Sequence, residues 1–175
     1  MRKLTVSILG MICALLFFIH ALYAAGLMLG ILSFSVTLLI LGRILVSLIL
    51  VHAVLALPVM LSNTLRGGKK YISKNITYVI QEVMGIVLLI FVFYHTPYFN
   101  QEPSPLELSL IVITLAAVGI HIYIGLPKSF ITLGWISDDS NMKAANILSF
   151  FLTIVPAAIS IIAIIIYYPT FYTGG

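Results

Sequence analysis

Apolar residues in this chain run on for lengths that a water-soluble fold cannot bury. Between Leu4 and Ser62 the only charged residue is Arg43. Of the 175 residues, 62% are hydrophobic and 8% are charged, whereas a soluble domain contains about 25% charged residues. A chain this short has too little interior to hide so much apolar surface from water. The sequence therefore predicts that a lipid bilayer surrounds most of the chain.

The apolar runs are continuous rather than alternating, which indicates membrane helices instead of the strands of a barrel. A spanning helix needs about 20 apolar residues, and polar or proline-rich breaks divide the chain into five such segments. The predicted fold is all-α: a polytopic membrane protein whose five transmembrane helices form a single domain over 1–175. We predict helices at 4–26, 36–62, 76–95, 108–133 and 144–167. The first run is longer than the apolar core of a signal peptide, so we expect it to be a span that is not cleaved.

Basic residues predict the orientation of the helices, because the loops on the inner side of a membrane are rich in Lys and Arg. With five spans, all of them except Arg43 fall on the side of the N-terminus: Arg2, Lys3, Arg66, Lys69, Lys70, Lys74, Lys128 and Lys143. We therefore expect the N-terminus inside and the C-terminus outside. Topology explains the net charge of +4, so we expect no nucleic-acid partner.

Each of the first four predicted helices carries one histidine: His20, His52, His95 and His121. Ionisable side chains at membrane depth are costly and usually mark a functional site. At about 1.5 Å per residue, His52 and His121 lie roughly 15–18 Å from the inner face, and His20 and His95 roughly 24–28 Å from it. The four therefore form two layers of two imidazoles each.

Two axial imidazoles per layer are what a six-coordinate haem b requires. The sequence predicts a haem-binding bundle with two haems b. His52 and His121 would ligate the inner iron, and His20 and His95 the outer iron. Zinc or di-iron sites would need thiolates or carboxylates beside the histidines, and neither depth has any. The alternative is that each imidazole only hydrogen-bonds a neighbouring helix, as in a haem-free anchor or a transporter.

Two segments resemble the membrane anchor of bacterial succinate:quinone oxidoreductases, in the single-chain, dihaem cytochrome b558 class. One runs from His52-Ala53-Val54 through 79–86 and 89–92 to His95, and the other comprises His121-x-x-x-Gly125-Leu126 and Thr132-x-Gly134. The resemblance covers most of 45–136, and the histidine framework extends it to His20. The chain departs from the family pattern at Ile124, Pro127 and Glu82.

The resemblance implies five helices and two haems b, with the same pairing of helices as the depth argument. It also implies a bacterial or archaeal cytoplasmic membrane, and an iron–sulfur subunit on the cytoplasmic side that carries an FAD flavoprotein subunit. The chain would move electrons between the iron–sulfur clusters and a quinone, usually menaquinone. Succinate oxidation or fumarate reduction would belong to the flavoprotein. The alternative in the same class is a dihaem cytochrome b of another quinone-linked oxidoreductase.

Four further residues have a functional and a structural interpretation each. Lys128, seven residues after His121, would pair with an inner-haem propionate or extend to the interface. Arg43 would hold an outer-haem propionate or anchor the end of its helix. Glu82 would transfer protons or complement a helix dipole. Gly85 would let a porphyrin or another helix approach closely.

Overall fold

The computed structural model describes the backbone of residues 2–33, 35–74, 76–95 and 104–172. Within them, side chains are described for 3–33, 35–62, 76–93, 104, 106, 107 and 109–167. Five helices make up the fold: α1 (Arg2–Met28), α2 (Val36–Lys74), α3 (Ile76–His95), α4 (Pro105–Thr132) and α5 (Asp139–Tyr172). No strand occurs in this part of the chain.

Each of the five helices contains a stretch that is long and apolar enough to cross a membrane. These stretches are Lys3–Met28, Val36–Ser62, Ile76–Phe93, Ser109–Thr132 and Asp139–Tyr167. In lipid the backbone must satisfy its own polar groups, and an α-helix does so within a single segment. The predicted fold class is confirmed: the chain is an all-α, multi-pass membrane protein.

Several helices extend beyond their predicted ends. Helix α2 continues through the predicted polar loop of residues 63–70 to Lys74, because a glycine inside a helix costs only about 1 kcal/mol. Helix α4 begins at Pro105 rather than 108, directly after a capping box in which Ser104 and Glu107 each accept the other's backbone N–H. Proline suits this first helical position because its missing N–H would have no partner there.

Two glycines end helices and make the turns on which the antiparallel packing depends. Gly30 and Gly134 have φ angles of +70° and +75°, which only glycine adopts at little cost. After α1, the N–H of Ile31 donates to the carbonyl of Gly26 at 2.9 Å, and that of Gly30 donates to Leu27 at 3.0 Å. This is the Schellman arrangement of a helix C-terminus, and Gly134 repeats it after α4.

Helices α1 to α4 form a closed ring, in which each helix packs against the next and α4 packs against α1. The diagonal pairs of the ring are α2 with α4 and α1 with α3. In the part of the chain that the structure describes, α2 has no Cα atom within 8 Å of α4, and α1 has none within 8 Å of α3. The ring is therefore held open at its centre. Helix α5 lies outside it, against α1 and α4.

Small and hydroxyl-bearing residues line the face of α5 that packs against the ring. Ser149, Thr153 and Ala163 have exposed fractions of 0%, 1% and 0%. The two hydroxyls donate to carbonyls of their own helix at 2.7 and 2.8 Å, so both are paired where α5 meets the ring. Close helix packing through small residues is typical of membrane proteins, and it fixes α5 against α1 and α4.

We expect Ala163→Leu to lower the free energy of unfolding by about 1–3 kcal/mol, because the larger side chain overfills a closely packed contact. Titration of the purified protein with sodium dodecyl sulfate, followed by circular dichroism, measures this change. Ile162→Leu is the matched control, since Ile162 is 53% exposed and its replacement should change stability by less than about 0.5 kcal/mol. Equal stability of the two variants would contradict the packing of α5.

Candidate functional site

A cavity of about 1150 Å³ occupies the open centre of the ring, and residues from α1 to α4 line most of it. Most small-molecule sites measure roughly 300–1,000 Å³, so this cavity has room for a large ligand. Its lining includes seven of the eight residues that the sequence singled out: His20, Arg43, His52, Glu82, Gly85, His121 and Lys128. The ring of helices thus brings together side chains that lie far apart in the sequence.

The eighth residue is His95, the last residue of α3. Its side chain lies outside the described residues, so its pairing with His20 stays a prediction. His20 itself is 9% exposed and lines the cavity from α1.

His121 is held by the backbone of the neighbouring helix. Its Nδ1 lies 2.8 Å from the carbonyl oxygen of Gln81 in α3. A carbonyl only accepts hydrogen bonds, so Nδ1 must carry the proton in this contact. In the neutral imidazole Nε2 then keeps its lone pair, which is the state of a histidine that ligates a metal.

His52 lies close enough to His121 for charges on the two imidazoles to interact. Its Nδ1 is buried and has no hydrogen-bond partner. The carbonyl of Val6 lies near the imidazole. A buried polar atom without a partner costs about 1–3 kcal/mol. Two imidazoles from diagonally opposite helices therefore lie near each other at the cavity. Nδ1 of one of them, His52, lacks a hydrogen-bond partner.

Each of the three described histidines faces a glycine on an adjacent helix. A methyl group built at Gly85 would lie 2.9 Å from Cε1 of His121, and one at Gly10 would lie 3.1 Å from Cε1 of His52. At Gly42 the distance to Cε1 of His20 would be 3.3 Å. Side chains at these positions would crowd the imidazoles, so the glycines leave space that the histidine rings occupy.

Charged residues gather where Lys128 lines the cavity. The ammonium nitrogen of Lys128 lies 4.1 Å from the centre of the Tyr78 ring, a distance at which the ring face attracts a cation. Glu82 and Lys3 also line the cavity and are near enough to Lys128 for their charges to interact. Arg43 is an exposed residue that contributes to the lining from α2. These cations suit an anionic group at the edge of a ligand.

The described residues contain no cluster of three or more His, Cys, Asp or Glu side chains that could hold a metal ion unaided. Two imidazoles on opposite walls suit a different kind of metal group, one that arrives with most of its ligands. The iron of haem b is such a group, because the porphyrin occupies four coordination positions and leaves the two axial ones to the protein.

Three features of the cavity were missed by the sequence analysis. Lys3 was assigned only to topology, and the pairing of glycines with histidines was not foreseen. The third is Gln81, whose Oε1 is buried without a hydrogen-bond partner and whose Nε2 would lie 2.6 Å from a methyl group at Gly125. A polar amide within an apolar helix was the available signal for Gln81.

The site is thus a large cavity inside a ring of four helices, with imidazoles on its walls and basic groups among its lining. Its chemistry follows from these residues alone, since no protein-family model, curated protein or solved structure matches the chain.

Proposed function

We propose that this chain is a dihaem cytochrome b that anchors an oxidoreductase complex in the membrane and carries electrons between an iron–sulfur subunit and quinone. One observation carries the proposal. His52 on α2 and His121 on α4 line a common cavity, while their helices make no close backbone contact with each other in the described part of the chain. A planar cofactor between these helices would explain both the gap and the two imidazoles.

His52 and His121 would hold the iron of the inner haem. Nδ1 of His121 donates to the carbonyl of Gln81, which leaves Nε2 available to iron. A carbonyl or carboxylate on the far nitrogen of a ligating histidine also orients the ring and increases its basicity. Nδ1 of His52 is buried without a hydrogen-bond partner, and the Val6 carbonyl near this imidazole would be its partner in the ligated state.

The outer haem is proposed to take His20 and His95, which belong to the second diagonal pair of helices, α1 and α3. His20 supports this assignment by its burial at the cavity wall.

Haem propionates carry negative charge, and basic residues of the chain would neutralise them at both haems. Lys128, with Lys3 beside it, would neutralise a propionate of the inner haem. Arg43, next to the glycine that faces His20, would do so for the outer haem.

When bound, haem b supplies one-electron transfer at its iron, and the protein tunes the potential through axial ligands, burial and nearby charge. The basic residues on one side of the predicted topology favour a cytoplasmic N-terminus. That side would dock the iron–sulfur subunit, which carries the FAD flavoprotein that oxidises succinate or reduces fumarate. Menaquinone is the proposed quinone. The alternative function is that of a dihaem cytochrome b in another quinone-linked enzyme. It would use the same cavity and would differ only in the partner subunits.

Substituting single histidines tests the paired ligation. We expect the purified wild-type protein to contain two haems b per chain, and His52→Ala and His121→Ala each to lose the same haem. His20→Ala should lose the other one, so each variant retains about half of the haem, because a single missing imidazole breaks one six-coordinate site. Dithionite-reduced minus oxidised spectra with pyridine haemochrome quantitation measure both the content and the identity of the haem.

The matched control is Thr114→Ala. Thr114 lines the same cavity but donates its hydroxyl to Leu110 in its own helix at 2.7 Å, so both haems should remain. Wild-type protein that folds and contains no haem would refute the proposed function. Loss of different haems from His52→Ala and His121→Ala would refute the pairing.

Labelling of single cysteines tests the proposed orientation. In a Cys13→Ala background, we expect Gln101→Cys to react with a membrane-impermeant maleimide in intact spheroplasts, because the segment between α3 and α4 should face outward. Ser140→Cys, at the start of α5, should react only after the membrane is opened, because Lys128 and Lys143 flank an inner loop. The reverse pattern would contradict an N-terminus inside.

A further inference from the structure

Three of the four histidines follow a glycine at a fixed distance in the sequence. Gly10 precedes His20, Gly42 precedes His52 and Gly85 precedes His95, each by ten residues, or about 15 Å along a helix. Because α1 and α2 are joined by a short turn and run antiparallel, equal spacings on both bring the pairs into register. Gly10 then faces His52, and Gly42 faces His20.

For His121 and His52, the glycine contacts also explain which backbone carbonyl lies beside the imidazole. In a helix, a side chain covers the turn that precedes its own Cα. A glycine therefore uncovers the carbonyl four residues before it. Gln81, whose carbonyl accepts from Nδ1 of His121, is four residues before Gly85. Val6, whose carbonyl lies near the imidazole of His52, is four residues before Gly10.

The same offset thus occurs at two interfaces, one between α1 and α2 and one between α3 and α4. We infer that Gly10, Gly42 and Gly85 are positioning residues for the haem ligands. Each leaves room for the edge of an imidazole on the adjacent helix. At Gly85 the uncovered carbonyl of Gln81 also accepts from Nδ1 of His121, which leaves Nε2 for iron. This inference rests on the proposed function and assigns a role within it to residues that touch no cofactor themselves.

The distances between the glycines and the imidazoles predict which Gly→Ala substitution displaces its histidine most. Real Cβ atoms essentially never approach another atom within 3.0 Å, and a methyl group at Gly85 would lie 2.9 Å from Cε1 and 3.2 Å from Nδ1 of His121. The His121 ring would have to move away and leave the carbonyl of Gln81. At Gly10 the closest approach is 3.1 Å and at Gly42 it is 3.3 Å, so the displacement decreases in that order.

Gly85→Ala is the decisive variant. Loss of the hydrogen-bond partner on the far nitrogen of a ligating histidine typically weakens metal binding by about 10–100-fold. When haem is partially extracted from Gly85→Ala, the inner haem should therefore be lost before the outer one. In the haem that remains, the weaker hydrogen bond makes His121 less basic. The midpoint potential of the inner haem should therefore rise, with the potential of the outer haem unchanged. Redox titration of the purified protein, followed optically, measures both haems.

Gly119→Ala is the matched control. Gly119 lies on α4, two residues before His121, and a methyl group there would meet no atom within 4 Å. Its haem content and both potentials should equal those of the wild type. A general defect in helix packing would instead disturb both haems in Gly85→Ala, and that result would overturn the positioning role.

Gly10→Ala provides a second test if Gly85→Ala fails to accumulate as folded protein. It acts on His52 from the other side of the same proposed haem, so it should alter the inner haem alone. A wild-type protein with two haems, together with Gly10→Ala or Gly85→Ala variants identical to it, would overturn this inference and leave the proposed function intact. A wild-type protein without haem would overturn both.

Discussion

Nothing in a bilayer replaces the hydrogen bonds of water, and this constraint determines both the fold and the site. Backbone groups pair within five helices, and hydroxyls such as those of Ser149 and Thr153 pair with carbonyls of their own helix. The ring nitrogens of histidine do not reach carbonyls of their own helix in this way. The three described histidines lie at helix–helix interfaces and line the central cavity, where a neighbouring backbone or a bound group can meet their needs.

The open ring connects this constraint to function. Adjacent helices pack closely, but the diagonal pairs stay apart in the described part of the chain, and such a gap in an apolar protein would lose dispersion contacts unless something filled it. Two imidazoles that approach each other across the gap, with cations among its lining, are suited to a planar, anionic metal cofactor. The glycines leave space beside the helices that the imidazole rings occupy.

The sequence was sufficient to predict the five spans, because a span depends on residue spacing along a single helix. It could not predict which side chains share the cavity, since that depends on how each helix rotates against its neighbours. Lys3 and Gln81 reach the cavity for this reason. The extension of α2 to Lys74 was also missed, because the polar residues after Ser62 were interpreted as a break, whereas polar residues and glycines cost a helix only about 1 kcal/mol each or less.

The measurement that tests the central claim most directly is the electron paramagnetic resonance spectrum of the oxidised wild-type protein. Iron held by two imidazoles is low-spin in the ferric state, so we predict two low-spin haem signals, one from each layer, and no appreciable high-spin signal. A spectrum with only high-spin ferric haem, or without any haem signal in folded protein, would contradict ligation across the diagonals of the ring.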